Sequence, residues 1–275
     1  MGDRSDELGH LRNPAGRLYL LLDYCVREGQ SNGPVLQTVT KYLEIPNEHS
    51  STLYRALAEW KEQPQLMRNE VEALSNPALS HKELLEDLPQ VEAALSDLTA
   101  GLGNTLDHVL RHFDNGTLKG LRHTSMLLAG ASGFKVPIPD DKLDGVRGLA
   151  QDLITSLTSD STLDPRLRRI LYEHAEAIRR AVDLYRVGGL DAVLAEFDRL
   201  MGFLNRRPDL VAAVVKEPKL KKAVGVLLLA MNLLAGLGNA AVALEHGVGG
   251  FLELTSWTSP TETIAPDETI GRDAA

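Results

Sequence analysis

The chain has 275 residues, 43% of them hydrophobic and 24% charged, a balance that belongs to a folded globular protein and excludes a disordered one. Its net charge of −9 argues against nonspecific affinity for nucleic acid, which depends on neutralising phosphates with Lys and Arg. A single cysteine, Cys25, excludes an internal disulfide and a multi-cysteine metal site.

Residues 1–10 are polar and charged, carry no signal-peptide pattern and are expected to be disordered. Synthesis in a reducing compartment and a cytoplasmic location follow as expectations. Aromatic residues make up only 5% of the chain while Leu and Ala abound, which suits helix packing better than sheet stacking. Proline then punctuates the sequence. Asn13-Pro14, Gly33-Pro34, Asn76-Pro77 and Asp164-Pro165 each set a capping-type residue before Pro, and Arg207-Pro208 and Glu217-Pro218 repeat the pattern with weaker caps. Proline fits the first helical position, where its missing N–H costs nothing and its fixed φ is already helical. The expected fold class is therefore all-α, arranged as helical bundles, two in number, with a long apolar helix near the C-terminus.

Apolar periodicity agrees. Cys25 lies in register with Leu18 and Leu22 and reads as a small core residue. Leu84, Leu88, Val91, Leu95, Leu98 and Leu102 alternate in steps of four and three, and Leu106, Val109 and Phe113 extend the stripe. Leu143, Val146, Ala150, Leu153 and Leu157 form another, as do Leu167, Leu171, His174, Ile178, Ala181 and Tyr185, ending at Gly188-Gly189. Arg169–Glu173 and Glu176–Arg180 sit four apart on the outer face of that last stripe. Each stripe needs a neighbouring helix to cover it. The irregular, proline-bearing residues 133–139 read as a linker between a bundle over 11–132 and a second over 140–254. Asp140-Asp141 is expected to cap the helix that follows, and the Ser/Thr-rich acidic residues 255–275 read as a disordered tail.

The segment 223–244 contains no charged residue. Its 22 residues would span roughly 33 Å as a helix, enough to cross a hydrocarbon core. Residues 206–222 before it hold six basic and two acidic side chains, and the chain after it is predominantly acidic. A membrane helix here would keep the large N-terminal part on the cytoplasmic side. Gly225, Asn232, Asn239 and His246 recur every seven residues and, with Gly236 and Ala243, form a narrow small-and-polar stripe suited to membrane insertion or assembly. The alternative is a central helix of a soluble bundle, apolar all round because neighbours surround it. A helical body carrying an apolar Ala/Gly-rich segment resembles, in composition, the pore-forming colicins, in which a hydrophobic helical hairpin is stored inside a bundle. The resemblance covers this segment alone and reaches hairpin length only if residues 247–254 are included.

Chemistry-bearing motifs are sparse. His108 and His112 are spaced to share one helical face, with Asp107 adjacent and His123 on the next helix, but zinc requires a third protein ligand and a supporting shell. A metal-dependent enzyme built on this pair is one alternative. The Gly236–Ala241 string matches a dinucleotide fingerprint yet lies inside an apolar run, not between a strand and a helix. Residues 33–60 have the outline of a DNA-reading helix-turn-helix, but only Arg55 and Lys61 offer positive charge against Glu48, Glu59 and Glu62. The sequence thus points to a non-catalytic helical protein acting through protein contacts or homo-oligomers. Membrane is a further partner through 223–244, as for a bacterial membrane-directed effector or accessory factor; a soluble scaffold or adaptor and a helix-turn-helix regulator using 33–60 are alternatives, and neither nucleic acid nor a cofactor is expected.

Overall fold

A computed structural model of the protein describes residues 9–30, 32–44, 51–76, 80–100, 103–131, 138–159, 164–225 and 227–228. The described chain is all-α, and no strand occurs among these residues. The elements are α1 (Pro14–Glu28), α2 (Val35–Leu43), α3 (Ser51–Glu72), α4 (His81–Leu84), α5 (Leu88–Ala100), α6 (Leu106–Leu110), α7 (Asn115–Ala131), α8 (Asp140–Ser159), α9 (Pro165–Asp183), α10 (Tyr185–Asn205) and α11 (Pro208–Lys216). A further helical stretch starts at 218.

The proline rule locates the starts of α1, α9, α11 and the stretch from 218. Asn13 caps α1, its Oδ1 accepting from the Gly16 N–H at 2.9 Å, with Pro14 at the first position. Asp164 does the same for α9, accepting from the N–H groups of Arg166 and Leu167. Pro208 opens α11, whereas Pro34 sits one residue before α2 and residues 77–79 lie outside the described set. Asp140 and Asp141 occupy the first turn of α8, where they face the positive end of its dipole instead of capping it. Pro64 is the exception. It is buried within α3 and removes the N–H that would bond the Trp60 carbonyl.

Burial follows the stripes. Leu143, Val146, Ala150, Leu153 and Leu157 all turn inward from α8; of the next stripe Leu171, Ile178 and Tyr185 are buried, joined by Ala175 and Val182, while Leu167, His174 and Ala181 are half-buried. The longer stripe from Leu84 to Phe113 is divided among α4, α5 and α6, each side chain still meeting the core or packing against it, with Leu102 outside the described residues. α1 lies at the centre, packed against α2, α3, α6, α7 and α10, while α9 packs between α8 and α10. The buried apolar side chains form one cluster running from Leu11 to Leu228, so helices on both sides of residues 133–139 contribute to the same core.

One loop pairing ties distant chain segments together. The Val35 N–H donates to the Asn104 carbonyl at 3.0 Å and the Leu106 N–H to the Gly33 carbonyl at 2.9 Å, pinning the start of α2 to the start of α6. The helix carrying the stripe from Leu167 to Tyr185 ends earlier than Gly188-Gly189 suggests. α9 stops at Asp183, and the chain continues as α10 with a kink at Gly189, whose φ of 66° lies in the left-handed region.

Among the described residues no helix is long and apolar enough to cross a membrane. Of the expected apolar helix over 223–244, only 223–225 and 227–228 are described. Val224, Leu227 and Leu228 are buried in the common core, and so is Gly225. The remaining stripe positions, Asn232, Gly236, Asn239, Ala243 and His246, lie outside the described residues, as do residues 1–8 and the tail over 255–275.

The kink generates a mutational prediction. A Cβ at Gly189 would collide with the Arg17 guanidinium and stand 3.2 Å from the Leu11 carbonyl oxygen, in a backbone conformation that disfavours any L side chain. Gly189→Ala should lower unfolding stability by about 2–4 kcal/mol in urea titration, the sum of a left-handed penalty and overpacking. Gly148→Ala is the control, because a methyl there meets nothing within 4 Å and should be neutral or stabilising.

Candidate functional site

The most concentrated polar constellation in the described structure is buried. Arg17, on α1, is 2% exposed, on a helix whose Leu18, Leu21 and Leu22 are buried as well. Its Nε donates to Gln63 Oε1 of α3 at 3.0 Å and its Nη1 to the Leu11 carbonyl at 3.1 Å. The Gly189 backbone of α10 closes over the guanidinium. Burial lowers the Arg17 pKa from its ordinary value, and the fields of Asp191 and Glu70 act in the opposite direction. Nearby, His10 Nδ1 hydrogen-bonds Ser125 Oγ at 2.9 Å and Asn13 Nδ2 donates to the Ser125 carbonyl at 3.0 Å, joining the entry to α1 with α7. Gly16 lies at this crossing because any Cβ would run into the His10 carbonyl. These groups satisfy one another across α1, α3, α7 and α10. The arrangement positions helices.

An aromatic column stands beside it. Tyr24, Tyr42 and Trp60 follow one another at ring separations of 5.2 and 5.9 Å. Arg186 of α10 lies over the Tyr42 ring at 5.6 Å, donates to the Tyr42 carbonyl at 2.8 Å and pairs with Glu44 at 2.8 Å. Glu44 ends α2 in the left-handed conformation, with φ of 56°. Trp60 is fully buried, and its indole N–H has no hydrogen-bond partner among the described residues. Where α10 meets α3 and α9, burial raises the pKa of the Glu59 carboxyl and lowers that of the His174 imidazole.

The histidine pair singled out by spacing is not brought together as a ligand set. α6 ends at Leu110, so His108 stands exposed on the helix while His112 falls in the turn beyond it. His112 Nε2 instead meets Asp97 Oδ2 of α5 at 2.8 Å, and Arg111 Nη2 reaches the same oxygen at 3.1 Å. Hydrogen bonding from His112, reinforced by Arg111, holds the Asp97 carboxyl below its ordinary pKa. His123 is exposed on α7. No group of three metal-capable side chains occurs among the described residues.

Residues 33–60 do place α2 before α3, but α3 buries Leu53, Ala56, Leu57 and Trp60, and its outer face mixes Arg55 and Lys61 with Glu62. Gly225, the one described member of the C-terminal stripe, is buried. Cys25 is fully buried, and desolvation pushes its thiol up to about 12. Sequence reading overlooked Arg17, Gln63, Asp97 and Arg186. A signal existed for the first: Arg17 falls four residues before Leu21 in an otherwise apolar stripe, where a charge is out of place. Asp97 gave none, because its partner lies 15 residues away, in the turn beyond α6.

No family model matches this chain, nor does any curated protein or solved structure. What is established is the class: an all-α protein with a single connected core among its described residues.

Two predictions follow from these geometries. Because the Asp97 pKa is depressed, its stabilising contribution is complete above the unfolded carboxylate value near about 3.9 and disappears as pH falls through the folded value. Asp97→Asn should therefore melt below wild type at about pH 6, and the two melting curves should converge as pH drops toward about 2. Cys25 should resist a thiol reagent in the native protein at about pH 8 and react stoichiometrically once urea unfolds the chain. Rapid native labelling would show that α1 opens.

Proposed function

We propose that this protein is non-catalytic, a helical body that acts by contact and carries its uncharged C-terminal run, residues 223–244, to a membrane. The observation that carries this reading is the run itself: 22 residues without a charge, preceded by a strongly basic stretch and followed by an acidic one. The Asn232–Gly236–Asn239–Ala243–His246 stripe supplies small and polar groups of the kind that mediate helix contact in lipid, which makes self-assembly the accompanying expectation. Burial of Val224, Leu227 and Leu228 fits a run that is anchored to the body at its N-terminal end.

That same burial favours a second reading, a soluble scaffold or adaptor in which the whole run completes the core. A charge near the centre of the run separates the two. On insertion scales an arginine at mid-membrane costs about 3 kcal/mol. If the run inserts, wild-type protein should float with phospholipid vesicles, and Leu234→Arg should remain folded by circular dichroism yet stay in the soluble fraction. Wild type that never floats, together with an aggregating Leu234→Arg, would overturn the membrane reading in favour of the scaffold. Asn232→Leu with Asn239→Leu should still float but lose oligomers in cross-linking.

A further inference from the structure

We infer that the exposed basic side chains Arg206, Lys216, Lys219 and Lys222 together make a docking surface for an anionic phospholipid bilayer. The inference rests on the membrane reading above and adds to it the chemistry of the surface that is engaged.

The charge distribution is the first reason. The chain as a whole is −9, yet residues 206–222 hold six basic and only two acidic side chains. Of the two acids, Asp209 is already occupied: Arg207 grips it with Nε to Oδ1 at 2.9 Å and Nη2 to Oδ2 at 2.8 Å, and the pairing drives the Asp209 carboxyl down to about 2. That removes Arg207 and Asp209 together from the surface field. Arg206, Lys216, Lys219 and Lys222 are left exposed, with Glu217 half-buried between them.

The packing is the second reason. α11 turns Leu210 and Val214 into the core, and the helical stretch from 218 turns in Leu220, Val224, Leu227 and Leu228. At 100° per residue, Lys219 and Lys222 fall together on the side opposite that buried stripe. Lys216 closes α11 just before the bend at Glu217, and beside it Val215 leaves more than a third of its surface to solvent. A lysine next to an exposed apolar side chain suits a lipid headgroup layer, where the amine meets phosphate and the valine meets the acyl boundary. Position in the chain is the third reason. Lys222 is the last charge before the uncharged run, so electrostatic docking there would set the run at the bilayer surface from its N-terminal end.

The test uses the full-length protein and vesicles of neutral phosphatidylcholine, with and without about 30% phosphatidylserine. Wild type should partition into the anionic vesicles at least about tenfold more strongly, and raising salt from about 0.05 to 0.5 M should erase the preference. Lys216→Gln, Lys219→Gln and Lys222→Gln combined should weaken anionic binding by about 100-fold, from roughly a factor of five per lysine, with an unchanged circular dichroism spectrum and melt. Arg55→Gln with Lys61→Gln, on α3, should change binding by less than about twofold. Equal binding of wild type to neutral and anionic vesicles, still abolished by Leu234→Arg, would overturn the docking surface and leave the membrane reading intact. Failure to bind either vesicle would overturn both. Salt-sensitive binding of duplex DNA through the three lysines, without vesicle binding, would also overturn the proposal.

Discussion

A guanidinium taken out of water needs acceptors on every side that its N–H groups point, and they must be supplied by chain segments that would otherwise have no reason to meet. Arg17 imposes that condition on this fold. Its two hydrogen bonds end on the Leu11 carbonyl and on Gln63, and the space above it is taken by the backbone of Gly189. Parts of the chain as far apart as Leu11, Gln63 and Gly189 are thereby held around one charge. Apolar packing alone is tolerant of small slides between helices, whereas a buried charge with fixed acceptors is not. The left-handed kink at Gly189 is the visible consequence, because only a residue without a Cβ brings α10 close enough to cover the guanidinium.

Around this point the other inter-helix links fall into place. His10 and Asn13 fasten the start of α1 to Ser125 on α7, and the close approach there uses Gly16. Arg186, three residues before the kink, holds α10 against the end of α2 through Tyr42 and Glu44. On the far side, Arg147 reaches from α8 to Asp183 on α9 at 2.8 Å, and Arg179 shares that carboxylate at 3.2 Å. The Arg186–Glu44 and Arg147–Asp183 ion pairs, exposed or half-exposed, set orientation more than they add stability, since solvent competes for each partner. The core beneath them carries the larger share of the free energy.

The body so built shows no concentration of reactive groups among its described residues that the helix contacts leave unused. Arg17, Gln63, His10, Asn13 and Ser125 are tied up in the contacts that hold the helices together, and the His112–Asp97 pair sits at the junction of α5 with α6. What remains distinctive lies at the C-terminal end, where basic side chains cluster on an otherwise acidic chain just before a long uncharged run. The proposed function and the proposed docking surface both grow from that juxtaposition, one from the run and the other from the lysines that precede it.

Local rules were enough to read the helical class and many of its boundaries from the sequence. Asn13-Pro14 and Asp164-Pro165 announce their helices because capping and a fixed φ act within one turn, and the stripe from Leu143 to Leu157 announces its buried face because helical period needs no partner to be seen. Interruptions were harder. The stripe from Leu84 to Phe113 keeps its period while the helix breaks into three, since a turn that preserves the inward direction leaves the apolar pattern intact. Pairings across the fold were not legible at all. That His112 would turn away from His108 to Asp97, and that Arg17 would find Gln63 and Gly189, depends on which helices lie side by side. The sequence by itself determined the helices and their apolar faces; tertiary packing decided which polar groups share an interior, because each of those contacts joins residues whose proximity exists only after the chain has closed on itself.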